Sequence, residues 1–342
     1  MLNFLTLLIS YFILFILFPL PIAVFLNRYI KNNFLFSFAA SIGLALPVSA
    51  LLLNYLLIFF PHFPKSFYLG IILSFFLVVS IIQKNEFKLF LNSLFIEFKL
   101  LFGKYSLLCF LLLIVAVFLQ VSYSILKPFT EHDSFEYAIQ GRIFAKELSI
   151  EYLKNRYDIN SGFYYVGLHG YIYPLIYSLE NIYTSYFLKP SDFLFRGLNT
   201  FYSFFILLMT VSYLKNKSIK LALVSLLIIV FTYSFIFTAL QTSLDHLRIF
   251  LLLVFLFFWK ENFNETKIGF VALLFIILGL SANIHSLNMI IACFLLFAWS
   301  IYQLINKKPL HLIIVACFAF LFGGSFHYLL DTFFGTGWIF KL

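Results

Sequence analysis

Apolar residues in this chain come in long unbroken blocks, not in the alternation of a half-buried strand or the three-to-four spacing of a surface helix. The stretches free of Asp, Glu, Lys and Arg are 1–27, 32–64, 66–83, 105–126, 197–214, 221–244, 268–306 and 309–330. A helix crosses a hydrocarbon core with about 20 apolar residues, so each block can span. The block 268–306 is too long for one crossing, and Ser281-Ala282-Asn283-Ile284-His285-Ser286 divides it into two spans joined by a tight turn. The shorter block 249–259 completes a span only with its polar neighbours. The pattern predicts an all-α integral membrane protein, a polytopic bundle of about ten transmembrane helices. The first block has no basic residue before it and no small-residue cleavage site after it, and reads as an uncleaved span.

Composition agrees. The 342 residues are 63% apolar and 11% charged, against about a quarter charged in soluble domains. A water-soluble domain and a disordered chain are both excluded. The cysteines Cys109, Cys293 and Cys317 all fall inside apolar blocks, which implies neither a disulfide framework nor thiolate chemistry.

The net charge of +9 would suggest nucleic acid in a soluble protein. In a multispan chain the placement of basic residues matters more. Alternate connections hold Arg28 and Lys31, then Lys84, Lys88, Lys99 and Lys104, then Lys215, Lys217 and Lys220, then Lys260 and Lys267, then Lys307 and Lys308. The short connections between them hold only Lys65, Arg248 and, around His285, no basic residue. The positive-inside rule makes the lysine-rich side cytoplasmic. The N-terminus, the connection 127–196 and the turns 241–248 and 282–286 then face the exterior, together with most acids and histidines.

The connection 127–196 is the one stretch with room for a structured extramembrane element. From Asp133 it reads as an amphipathic helix, with Phe135, Ile139 and Ile143 on one face and Glu136, Gln140, Arg142, Lys146 and Glu147 at polar positions. A second segment, 163–183, is broken by Gly167, Gly170 and Pro174 and rich in tyrosine, and reads as a second interfacial or partly re-entrant helix. The chain divides at residue 104 into a three-span segment, 1–104, with a cytoplasmic amphipathic connection, and a module, 105–342, that contains this exoplasmic loop of interfacial helices.

Asp133 carries two readings. With Glu136 three residues later it makes a capping box, and it is equally suited to act as a general base toward an acceptor hydroxyl. His132-Asp133, Asp245-His246 and His285 lie at separate outer turns. Their spacing lacks the paired ligands of a metal site, so no metal is assigned, although a divalent ion is compatible with these residue types. Asp245 and Arg248, three apart at the mouth of a span, form either a local ion pair or a cationic fork for a phosphate, with His285 beside it.

The order of parts resembles the membrane-embedded GT-C glycosyltransferases, the superfamily of the protein O-mannosyltransferases and the bacterial aminoarabinose transferases. The resemblance covers about residues 105–305. It rests on Asp133-Ser134-Phe135-Glu136-Tyr137, similar to the family's Asp-x-x-x-Tyr, on Tyr173-Pro174-Leu175-Ile176-Tyr177, and on Gly279-Leu280-Ser281-Ala282-Asn283-Ile284-His285. Pro174 stands alone where a double proline is usual, three spans precede the module, and the chain stops at Leu342, as in a minimal or truncated member.

The resemblance implies an inverting transferase that moves a sugar from a polyprenyl-phosphate donor to a lipid, glycan or protein acceptor on the outer face of a bacterial inner membrane. Asp133 would be the base, with Glu136, Arg142, Asp245, Arg248 and His285 around the phosphate or acceptor, and His132, Tyr137, His169 and His246 as further candidates. Membrane lipids are the expected surroundings, and nucleic acid is not an expected partner. The alternatives are a lipid-linked glycan polymerase or ligase, and a polytopic transporter or flippase.

Overall fold

The computed structural model describes residues 12, 19–29, 33–101, 103, 106–126, 132–149, 170–187, 193–215, 217–240, 243–262 and 265–325. These residues contain helices and no strand. In chain order the helices are α1 (Pro19–Asn27), α2 (Phe34–Phe59), α3 (Lys65–Ile82), α4 (Lys84–Leu101), α5 (Ser106–Leu126), α6 (His132–Glu147), α7 (Ile172–Phe187), α8 (Phe193–Arg196), α9 (Leu198–Lys215), α10 (Ile219–Phe231), α11 (Tyr233–Ala239), α12 (Asp245–Glu261), α13 (Ile268–Ile284), α14 (Ser286–Ile305) and α15 (Leu310–Phe320), which continues into a π-turn at Leu321–Ser325.

Of the roughly ten spans expected, three helices among the described residues are long and apolar enough to cross a membrane: α2, α3 and α14. A fourth is added if α10 and α11, bent by 66° at Thr232, make one broken span. The difference has a physical origin. Sequence blocks mark where a chain avoids charge, whereas helices stop wherever a backbone bond fails. The block 221–244 breaks at Thr232, 268–306 divides at His285, and 309–330 turns at Gly324, whose φ of 117° is left-handed. Helix α13 is a shorter apolar helix, and part of α5 lies outside the described side chains.

Helix α2 is the central post, buried on most of its length among α1, α7, α9 and α12. Asn33 caps its start by accepting the Phe36 N–H at 3.1 Å. Pro47, inside the helix, has no N–H to give the carbonyl of Gly43 one turn earlier. The Tyr202 hydroxyl of α9 donates to that carbonyl instead, at 3.0 Å. The missing side chain of Gly43 admits the ring of Phe250 from α12, which occupies the space a Cβ would fill. Sequence punctuation in one helix is thus answered by two others. Tyr202→Phe is expected to cost about 1–3 kcal/mol, the penalty of an unpaired buried carbonyl. In a Pro47→Ala background the restored N–H should remove most of that cost. Equal costs in both backgrounds, measured by thermal unfolding in detergent, would contradict this account.

The lysine-rich connections meet at one end of the bundle. Arg28 donates from Nε and Nη2 to the two oxygens of Glu86 in α4, each at 2.8 Å. Lys215, ending α9, lies 2.6 Å from Glu97 of α4, whose other oxygen accepts the Leu35 N–H at the start of α2 at 2.7 Å. Tyr213 donates to Glu261 at 2.8 Å, and the Lys217 ammonium stands 4.7 Å from the centre of the Tyr213 ring. Charges that are far apart in sequence therefore share a polar layer.

At the opposite end α7 lies crosswise. Its first N–H, of Ile172, donates to Asn283 Oδ1 at the end of α13 at 2.9 Å, while Ser185 near its other end accepts from Lys65 at the start of α3 at 3.2 Å. Of the segment expected to be an interfacial or partly re-entrant helix, residues 170–184 are buried throughout by the protein itself. Tyr171, Tyr173 and Tyr177 pack inside the protein. Helix α6 covers α7 with its small residues: a Cβ on Gly141 would lie 2.5 Å from the Tyr177 ring and 2.6 Å from the Pro174 carbonyl oxygen. The turn after α2 closes the same end, with the His62 N–H donating to Leu148 O, just beyond α6, at 2.8 Å.

The apolar face expected on α6 is turned outward. Phe135 and Ile139 are 49% and 42% exposed, while Tyr137, Ala138, Gly141, Phe144 and Ala145 form the packed side, together with the polar Gln140. Helix α6 also opens at His132, so Asp133 stands in the first turn and not at the cap itself. A first helical turn is a position that the helix dipole makes favourable for an acidic residue.

Candidate functional site

The polar cluster with most to offer lies at this roofed end, where the chain turns into α12. Asp245 opens α12 and Arg248 follows one turn on, so the helix sets them on one face. They pair at 2.8 Å, with side chains 30% and 23% exposed. Two amides from apolar blocks hold the turn in place. Asn199 of α9 donates to Ser243 Oγ at 2.7 Å and to Thr238 O at 2.9 Å, and its Oδ1 accepts the His246 N–H at 3.3 Å. Asn288 of α14 donates to Arg248 O at 3.3 Å and to Ser281 Oγ at 2.8 Å. Ser243 Oγ in turn donates to Asp245 Oδ2 at 2.9 Å.

The outer connection joins the cluster through tyrosine. The Tyr173 hydroxyl of α7 donates to Ser243 O at 2.8 Å. The ring of Tyr137 from α6 meets Tyr173 edge-on, centroids 5.0 Å apart. A continuous path of contacts therefore runs from the Asp-x-x-x-Tyr segment through Tyr173 and Ser243 to Asp245 and Arg248. On α6, position 133 precedes Tyr137 by one helical turn. The side chains of Asp133 and His132, and all of His169, lie outside the described residues.

The other sequence candidates are distributed unevenly. His285, in the turn between α13 and α14, feels the charges of both Arg248 and Asp245. Arg142 is placed elsewhere on α6, its Nε donating to the Tyr177 hydroxyl at 3.0 Å. Glu136 is partly exposed on α6. His246 is 1% exposed, with neither ring nitrogen hydrogen-bonded among the described residues and the ring edge-on to Phe235 at 4.7 Å. Among the described residues no group of three His, Cys, Asp or Glu side chains can hold a metal.

Chemically, the arrangement presents a guanidinium whose only ion pair among the described residues is with Asp245. Its fork carries five N–H donors, so it can still engage a phosphate oxygen. The Tyr173, Asn199 and Asn288 contacts fix the backbone around the pair, and Ser243 holds Asp245, the partner of the fork. Sequence reasoning singled out the charged pair and the polar break that begins at Ser281, but not Asn199, Ser243 or Asn288. The available signal was polar side chains set in or at the edge of apolar blocks, where they need internal partners. No family model, curated protein or solved structure matches this chain.

His285 makes the cluster sensitive to acid. Its Nδ1 accepts the Leu287 N–H at 2.9 Å and so caps α14, a bond that needs the unprotonated nitrogen. Burial lowers its pKa from the ordinary 6.5, the nearby Arg248 charge lowers it further, and Asp245 opposes both. A base with a depressed folded-state pKa takes up its proton more readily when unfolded. The stability it contributes is present above pH 6.5 and is lost as the pH falls from there through the lowered folded-state value. Between about pH 8 and about pH 5 the Tm of the wild-type protein should therefore fall more than that of His285→Asn, which keeps a capping oxygen but does not titrate. Parallel Tm curves would remove His285 from this role.

Proposed function

We propose that the protein is a membrane glycosyltransferase of GT-C type that transfers a sugar from a polyprenyl-phosphate donor to a lipid, glycan or protein acceptor. In this reading the bundle sits in a bacterial inner membrane and carries its site on the exoplasmic face. The observation that supports it best is the contact path from Tyr137 through Tyr173 and Ser243 to the Asp245–Arg248 pair. The path supports this reading because it links the segment bearing the acidic motif to the element that carries a cationic fork suited to a phosphate leaving group.

Asp133 accepts the proton of the attacking acceptor hydroxyl as the bond from the anomeric carbon to the donor phosphate breaks, and the phosphate leaves with the electron pair. Arg248, oriented by Asp245, holds the departing phosphate, with His285 beside it. A lipid-borne donor suits the location, since nucleotide sugars stay in the cytoplasm.

The test is sugar transfer by the purified, reconstituted protein from polyprenyl-phosphate donors, together with the glycolipid and glycoprotein profile of a deletion strain. Arg248→Ala should raise the apparent KM for the donor about tenfold or more, given the about 1.5–3 kcal/mol of a charged hydrogen bond, while the acceptor KM stays near its wild-type value. Unchanged donor dependence would contradict the phosphate role. The 66° break between α10 and α11 favours one rival, a transporter or flippase with a discontinuous span. That rival predicts movement of unmodified substrate across the bilayer and no new glycosidic bond.

A further inference from the structure

Helix α4 (Lys84–Leu101) has no part in the proposed site and is unlike the apolar helices around it. Both of its acids are paired with other elements, the exposed Glu86 with Arg28 after α1, and the buried Glu97 with Lys215 at the end of α9 and the Leu35 N–H at the start of α2. Glu97 follows Glu86 by 11 residues, about 16 Å of helix axis. Helix α4 therefore lies across the ends of three helices, along one end of the bundle.

Successive residues turn by about 100°, which sorts the rest of α4 by face. Phe90, Leu94 and Glu97 are packed, at 2%, 6% and 9% exposure. Leu89, Ile96 and Leu100 fall within an arc of about 40° on one flank and are 69%, 59% and 70% exposed. Lys84, Lys88 and Lys99 are exposed within a second arc of about 60°, which also holds Phe95, 73% exposed, and Asn85 and Asn92 lie between the two arcs. Arg28 and Lys215 already match the two acids, so the outward charge of this helix is that of its lysines.

An apolar flank beside a basic flank, on a helix laid across the end of a bundle of apolar helices, fits the boundary between acyl chains and headgroups. A second copy of the chain suits the surface less well, since a symmetric pairing would set lysines against lysines. We propose that α4 seats itself in the membrane interface, with Leu89, Ile96 and Leu100 among the acyl chains and Lys84, Lys88 and Lys99 on the headgroups of acidic phospholipid. It would thus be a lipid-selective site at the lysine-rich end, independent of the glycan-transfer reading.

The full chain is reconstituted in nanodiscs of phosphatidylcholine with or without phosphatidylglycerol. A fluorophore is attached at Leu89→Cys or Asn92→Cys in a Cys109→Ser, Cys293→Ala, Cys317→Ala background. The expected result is quenching at position 89 by brominated acyl chains and at position 92 by aqueous iodide. In the chain with its natural cysteines, K84Q/K88Q/K99Q should lose most of the preference for spin-labelled phosphatidylglycerol, since each surface lysine contributes about fivefold. Iodide reaching position 89, or an unchanged lipid preference in the triple variant, overturns the proposal. Shielding at position 89 from both quenchers, with cross-links between chains, also overturns it and assigns the flank to a protein partner.

Discussion

Asp133→Asn is expected to lower sugar transfer by about a hundredfold or more, the usual contribution of a positioned general base, while insertion and abundance stay normal. Asparagine is the informative replacement because it keeps the size and most hydrogen bonds of the aspartate and removes only its basicity. The loss of a carboxylate from the first turn of α6 weakens the helix-dipole interaction by about 0.3–1 kcal/mol, which the packing of α6 on α7 absorbs. Tyr137, Ala138, Phe144 and Ala145 are all buried in that packing. The measurement is single-turnover transfer with purified variant, normalised to folded protein. Retained transfer would remove Asp133 from the chemistry. Loss of the protein itself would instead make the residue a structural element of the helix start.

The largest stability effect should come from the opposite end. Glu97 accepts from the Leu35 N–H and pairs with Lys215, with side chains 11% and 15% exposed for Glu97 and Lys215. Glu97→Ala leaves a poorly solvated ammonium and an unpaired N–H at the start of α2. Breaking one partner of such a pair costs about 3–5 kcal/mol. Glu97→Ala with Lys215→Met should recover most of the loss, because the pair as a whole is worth far less than the penalty for orphaning one charge. A single variant that unfolds with the wild type would show that water reaches this layer freely.

Residues that act within their own neighbourhood were readable in one dimension. The Asp245–Arg248 pair is a three-residue spacing on one helix turn, and the structure forms it at 2.8 Å. The division of the block 268–306 at His285 also followed from local polarity, and α13 and α14 meet there. The partners of the α7 tyrosines were not readable, for an equally physical reason. Tyrosine suits both a headgroup layer and a protein interior, since its ring is apolar and its hydroxyl needs one partner. Tyr173 finds that partner in Ser243 O, 70 residues away, and no local pattern encodes such a pairing. The packed face of α6 was equally hidden, because Ala138, Gly141 and Ala145 are weakly hydrophobic yet let α7 come close.

Helical class, the apolar blocks and the segregation of lysines among the connections follow from the order of residues, because hydropathy and backbone satisfaction in a low-dielectric medium are properties of short segments. Which blocks remain single helices, which end of α7 meets Asn283, and which amide steadies Arg248 depend on groups distant in the chain that meet only when α2, α7, α9, α12 and α14 have packed. The pairing of Tyr202 with the carbonyl freed by Pro47 shows why: the proline announces an unpaired oxygen, but the donor is supplied by whichever helix comes to rest beside it.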